Sequence, residues 1–295
     1  MGSSTRRAHY GAWRAVCALP TLLGSVLVLV TGFGWLGSWS GLILLGWLLI
    51  AAGLLCRPIE RIGVRLAYSY RPLTSREAAW LDPLRRLALA RCGLPVDAVD
   101  WYIQQRMRGV NGCAAGRRSI AVSAGLVDAL ARGRLSQPQA VAILTHELAH
   151  HRDRATRYGL AIAWLTAPWR LAAAIFATLL RAIVRNVPTS RAALVLVPVV
   201  GVIAAVQLAQ QHAWPELTML VGLALIVAVQ PLAQAAVSRA SECAADDYTA
   251  QLGSGPDLAA VLQRGHVTDR TVRWLATHPR LADRLNLLEG TAHRR

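Results

Sequence analysis

The chain has 295 residues, 54% of them hydrophobic, and a mean hydropathy of +0.37, which is more apolar than an ordinary soluble protein and leaves room for one domain plus membrane segments. Its formal net charge is +16, and all 32 basic residues are arginines. That balance requires an anionic partner. The arginines flank apolar stretches and form no stripe interleaved with aromatics, which indicates the anionic inner leaflet of a membrane and excludes nucleic acid. Cys17, Cys56, Cys92, Cys113 and Cys243 are odd in number and never form a C-x-x-C pair, so neither a disulfide framework nor a cysteine metal site is expected.

Residues 1–14 are a basic tail. From Arg14 to Arg57 no residue is charged, and the apolar run is broken only by "TGFGWLGSWSG". Residues 15–56 are therefore expected to form a transmembrane hairpin, with Trp35 and Trp39 at the interfacial turn. Arg6, Arg7 and Arg14 precede it while Arg57, Arg61 and Arg65 follow it, which puts both ends in the cytoplasm.

After Arg71 the composition becomes that of a globular domain. Thr74 and Glu77 are spaced as a capping box for a helix running to about Cys92. "DWYIQQRMRGV" and "SIAVSAG" have strand character, with Ile120 and Val122 inward, and "NGCAAGRR" between them predicts the turn of a hairpin. "SQPQAVAILTHELAHHRD" predicts a helix with Ser136 as its N-cap and Val141, Leu144 and Leu148 along one stripe. Residues 57–157 thus read as the first part of a cytoplasmic domain.

Arg170 and Arg181 interrupt the next apolar stretch, so residues 158–184 are expected to lie at the interface or be embedded in the membrane. Residues 192–237 read as a second transmembrane hairpin, with "QHAWPE" outside because the arginines lie in "RAIVRNVPTSR" before it. Residues 238–295 return to helical, soluble patterning and complete the cytoplasmic domain.

The chemistry concentrates in His146-Glu147-Leu148-Ala149-His150. Residues four apart share a helix face, so His146 and His150 can direct two imidazoles at one zinc ion, with Glu147 beside them. His151 points about 100° away from His150 on an ideal helix and is assigned to solvent or packing. A third ligand is needed, and "AVSRASECAADDYTAQLG" supplies Glu242 together with Asp246 one turn later, placed to fix a histidine ring from outside the ligand set. Cys243 beside Glu242 is assigned to the core. The long separation of the two helices is accounted for by a membrane excursion with an even number of spans.

"HELAH" followed by "SRASECAAD" resembles integral-membrane zinc metallopeptidases of the HtpX and CAAX prenyl protease type, which share S-R-x-x-E-x-x-A-D; Ser238, Arg239, Glu242, Ala245 and Asp246 match it. "VNGCAAGRRSIAVSAGLVDAL" and "THPRLADRLNLL" are similar to further segments of that family, although it usually has Asn-Ala where Asn111 is followed by Gly112. The resemblance implies a mainly α membrane protein whose transmembrane helices carry a cytoplasmic α+β zincin-like peptidase domain. It implies one zinc per chain on His146, His150 and Glu242, with Glu147 as general base. It also implies Asn111 as a holder of substrate backbone, a substrate strand beside Ser119, Ala121 and Ser123, and His278 and Arg284 as oxyanion donors. The expected activity is hydrolysis of membrane or membrane-adjacent polypeptides at the cytoplasmic face of the inner membrane. The rivals are a sensor-type peptidase that cleaves a regulator and a non-catalytic zinc-binding membrane scaffold. The oligomeric state is left open.

Overall fold

In "SIAVS" the alternation of β-branched and small side chains makes a strand with two distinct faces, and both are covered. The structure, a computed structural model, describes residues 10–107, 109–184, 190–264 and 278–290. The basic tail before Tyr10 and the centre of "RAIVRNVPTSR" lie outside the described residues. In chain order the elements are α1 (Tyr10–Phe33), a 3-10 turn (Gly34–Leu36), α2 (Trp39–Gly53), α3 (Arg57–Tyr68), β1 (Tyr70–Pro72), α4 (Ser75–Arg91), β2 (Asp100–Gln104), β3 (Gly112–Ala115), β4 (Ser119–Ser123), α5 (Ala124–Ala131), α6 (Gln137–Arg152), α7 (Gly159–Leu165), α8 (Ala167–Val184), α9 (Ser190–Gln210), α10 (Trp214–Gln251), α11 (Gly255–Arg264) and α12 (Leu281–Gly290). The chain divides into two compact units, one of Met1–Val16, Gly46–Trp164 and Gln234–Arg295, the other of Cys17–Leu45 and Leu165–Ala233.

The first unit holds a four-stranded sheet in the order β1-β2-β4-β3. β4 pairs parallel with β2 and antiparallel with β3. The expected hairpin of β2 with β4 is therefore corrected: the segment between them is long enough for a crossover, and half of "NGCAAGRR" is itself a strand. Asn-Gly starts an edge strand here, and the turn falls at Gly116, whose φ of +59° suits glycine. A Cβ on Gly116 would also lie 2.6 Å from Glu60 Oε1.

Ile120 and Val122 pack inward with Leu81 and Leu89 of α4 and Val141, Leu144 and Leu148 of α6, while Ala121 faces Val64, Tyr70 and Tyr102 on the other side. Both capping signals hold. Thr74 and Glu77 close a capping box on α4, and Ser136 and Gln139 close one on α6, with Pro138 in its first turn. These caps fix where α6 begins and hence which of its residues face the sheet.

Glu60 of α3 ties this layer together. Its side chain, 1% exposed, accepts from Arg118 N–H at 2.9 Å and from the Ser119 hydroxyl at 3.0 Å. Nearby, Arg57 and Arg61 both clasp Asp100 at the start of β2.

In the second unit the Trp169 ring lies so close to Gly24 that a Cβ there would come within 2.6 Å of it. Gln230 donates to Thr21 at 2.8 Å, satisfying a polar pair among apolar helices. Among the described residues one helical stretch, Tyr10–Leu36, is by itself long and apolar enough to cross a membrane. Trp39–Gly53 with Arg57–Tyr68, and Gly159–Leu165 with Ala167–Leu179, reach that length only as pairs bent by 103° and 53°. At 15 residues α2 spans about 22 Å, less than the roughly 30 Å hydrocarbon core. The stretch 158–184 breaks at Thr166 into α7 and α8, and the second arm of the expected 192–237 hairpin continues without interruption into the Glu242 segment as the 38-residue α10.

Replacing Glu60 by Ala strips a partner from one buried hydroxyl and one part-buried backbone N–H. The expected cost is about 1–3 kcal/mol of stability, read as a lower unfolding midpoint in detergent; an unchanged midpoint would show that Glu60 is not the tie described.

Candidate active site

Because α6 begins at its cap and runs unbroken beneath the sheet, His146, Glu147 and His150 fall on its buried stretch, at 5%, 7% and 7% exposure. α10 brings Glu242 and Asp246 to the same place. His146 Nε2 lies 3.6 Å, and His150 Nε2 3.3 Å, from the Glu242 carboxylate. The ligand atoms of these three residues all lie within 4.8 Å of one another. Two donors bound to zinc at about 2.0–2.1 Å in tetrahedral geometry stand about 3.4 Å apart, so this donor set fits zinc in both chemistry and spacing.

Each imidazole presents Nε2 to the shared point and turns Nδ1 away from it, towards a polar neighbour. His146 Nδ1 lies 3.1 Å from Asp246 Oδ1, and His150 Nδ1 lies 3.3 Å from the Ser241 hydroxyl. Asp246 is in turn gripped by Arg284, whose Nε and Nη2 donate to its two oxygens at 2.6 and 2.7 Å. Burial pulls the His146 imidazole down, but the carboxylates of Asp246 and Glu242 outweigh it and hold its pKa up at about 10. Burial would likewise raise Glu242, yet His146, His150 and His278 around it keep its carboxyl well below the usual range. The same contest leaves Asp246 lowered, through Arg284 and His146.

These residues lie in a cleft of about 1840 Å³ that Asn111, Gly112, Cys113 and Ala114 also line. Among the described residues β3 is the last strand on its side of the sheet, and none pairs with its outer edge. Gly112 is needed at this wall, because a Cβ on it would come 2.5 Å from Glu147 Cγ. The exposed Asn111 caps the Gly112 N–H with its own side-chain oxygen at 2.9 Å.

Several expectations change. Ser119, Ala121 and Ser123 are buried at 1%, 0% and 1% in a strand paired on both sides, so no substrate strand can add beside them. Ser119 instead serves Glu60, and Ser123 accepts from Leu126 N–H to cap α5. Of the two edge strands, β1 and β3, it is β3 that lines the cleft. Arg284 commits Nε and Nη2 to Asp246 and turns only Nη1 towards Glu242, at 3.7 Å, so it braces the ligands where an oxyanion donor was expected. His278 does reach the site, with Nδ1 3.4 Å from Glu242 Oε2, and its side chain is 63% exposed at the mouth.

His151 is held by both ring nitrogens, 3.1 Å from the Ser119 carbonyl and 3.4 Å from the Thr156 hydroxyl, and burial pulls it down to about 4. It packs, and the ring is neutral at pH 7. Ser241 escaped the sequence reading, since a lone serine before Glu242 has no spacing signature. Cys243 lines the cleft rather than the core.

A family model, Peptidase family M48, matches residues 75–292. No curated protein matches the chain.

Two outcomes follow from this geometry. Metal-free His146 holds a proton that zinc must displace, so apparent zinc affinity is expected to rise about tenfold per pH unit between about pH 6 and pH 8. Competition with a chromophoric chelator measures it, and a flat profile would contradict the raised pKa. Ser241→Ala frees the outer nitrogen of His150 and is expected to weaken zinc binding about 10- to 100-fold, measured in the same assay.

Proposed function

The chain belongs to peptidase family M48 and is a zinc metallopeptidase; on that premise we propose that it is an endopeptidase held in a membrane, cutting polypeptide segments that lie in or beside the bilayer. The observation that carries the reading is the convergence of Glu147 and the three ligand atoms in a cleft walled by the edge strand β3.

His146, His150 and Glu242 would hold the zinc, which when bound would supply a Lewis acid for the scissile carbonyl and for water. Glu147 takes the proton of the attacking water and returns it to the leaving nitrogen. Asp246 and Ser241 fix the tautomers and ring planes of the two histidines, and Arg284 holds Asp246 against rotation. His278 at the mouth donates to the developing oxyanion. The substrate backbone lies along β3 as an added strand, with Asn111 at its end, and its side chains point alternately into and out of the cleft.

The membrane part of the reading is supported by the Tyr10–Leu36 stretch, whose best window has a hydropathy of 2.1. Arg57, Arg61 and Arg65 follow the first apolar pair of helices, which by the positive-inside rule puts the peptidase unit on the cytoplasmic face. Residues 15–56 and 192–237 are the proposed membrane hairpins, the latter keeping Glu242 on the same side as His146.

Glu147→Gln tests the chemistry. The variant is expected to bind zinc with wild-type stoichiometry and to cleave an unfolded test protein about 10²- to 10⁴-fold more slowly. Undiminished cleavage would sink the mechanism, and loss of zinc would mean that Glu147 builds the site and does not merely act in it.

A further inference from the structure

The β3–β4 turn and the loop leaving α6 border a second cavity, of about 180 Å³ and open to the surface, lined by Arg117, His151, Arg154, Thr156 and Arg157. Three arginines line it and no carboxylate does; the Arg157 guanidinium also stacks on the Tyr158 ring, 5.4 Å from its centroid. Elsewhere in the same unit arginines face acids, as Arg57 and Arg61 face Asp100 and Arg284 faces Asp246. Like charges gathered about a cavity repel one another. A tetrahedral oxyanion set among them replaces that repulsion with charge-assisted, forked hydrogen bonds, for which guanidinium is better shaped than ammonium.

The floor is polar and fixed. The Thr156 hydroxyl and the His151 ring are joined at 3.4 Å, and His151 is anchored to β4 through the Ser119 carbonyl. Arg154 has a φ of +54°, a left-handed conformation that bulky side chains seldom adopt. Its loop is also tied to the start of α1, since Arg14 Nη1 donates to the Ala155 carbonyl at 3.0 Å. Arg14 is the last charge before the long apolar run, and Tyr158, just beyond the loop, opens the next one. The cavity is thus attached at the point where two apolar stretches begin, which is the depth at which lipid headgroups lie.

We propose that this cavity binds a phosphate-bearing anion, and that its source is the headgroup of an anionic membrane lipid, which seats the peptidase unit on the bilayer surface. The lipid assignment rests on the membrane-held reading above; the anion site itself does not.

Full-length protein in neutral detergent is titrated separately with dioctanoyl phosphatidylglycerol, dioctanoyl phosphatidylcholine and inorganic phosphate, with binding read from tryptophan fluorescence. The phosphatidylglycerol is expected to bind at least about tenfold more tightly than the phosphatidylcholine, whose ammonium opposes the arginines, and to lose about tenfold or more in Arg117→Gln/Arg154→Gln. Should the double variant fail to fold, Arg117→Gln alone, on the exposed turn, carries the comparison. Inorganic phosphate binding as tightly as the lipid would overturn the lipid source in favour of a soluble anion. Equal binding of the two lipids, or a variant that binds like wild type, would overturn the site. Zinc content and cleavage measured on the same preparations report the peptidase reading separately, since neither arginine touches the metal cluster.

Discussion

The carboxylate of Glu242 lies between His146 and His150, at 3.6 and 3.3 Å, where burial by itself would favour its neutral form. Everything around it offsets that cost. The sequence of charges runs outward as Glu242, His146, Asp246 and Arg284, alternating in sign when His146 is protonated. In the metal-free protein the proton on His146 supplies the positive charge that zinc otherwise brings. Zinc bound there would take the place of that proton, which would tie metal affinity to pH. Arg284 is the outermost member and cannot lose its charge, so Asp246 stays ionised and the orientation of His146 is fixed from outside.

The sheet imposes the second constraint. β4 has neighbours on both sides and side chains buried on both faces, and α6 crosses one of those faces with its histidines turned to the cleft. Much of this was legible beforehand. The capping residues Thr74 and Ser136 mark helix starts because a side-chain oxygen must satisfy a first-turn N–H, and that requirement is local. The inward pair Ile120 and Val122 is legible for the same reason, as strand period is a property of the segment. Strand order is not local. Asn111-Gly112 reads as a hairpin turn and is in fact the entry to an edge strand, and the three-residue β1 has too little sequence to announce itself. For this reason Ser119, Ala121 and Ser123 looked like a substrate ledge, when they lie in an inner strand and the sheet's edge is one strand further out.

The site divides along the same line. His146, Glu147, His150, Glu242 and Asp246 are related by one helical turn within each helix, and the metal demands a fixed set of donors, so spacing and chemistry together expose them. Ser241, Gly112 and the true orientation of Arg284 depend on how separate elements approach. Gly112 is small because the Glu147 side chain passes there, a fact that belongs to the contact between β3 and α6.

The arginine excess, finally, is not one diffuse field. Arg57 and Arg61 clamp the entry to β2, Arg71 braces Glu77 at the cap of α4, and Arg284 stands behind the ligand set, each opposite a carboxylate. With 32 arginines against 16 acids, many must go without such a partner, and where they collect is decided by the surroundings. Arg117, Arg154 and Arg157 collect around one small cavity beside the chain's entry into apolar sequence. An external anion would find three guanidinium groups there, and a bilayer surface provides one at fixed depth and high local concentration. The loop that leaves the His146–His150 helix would then be held by the membrane at one end and by the metal cluster at the other, which couples the seating of the domain to the helix that carries Glu147.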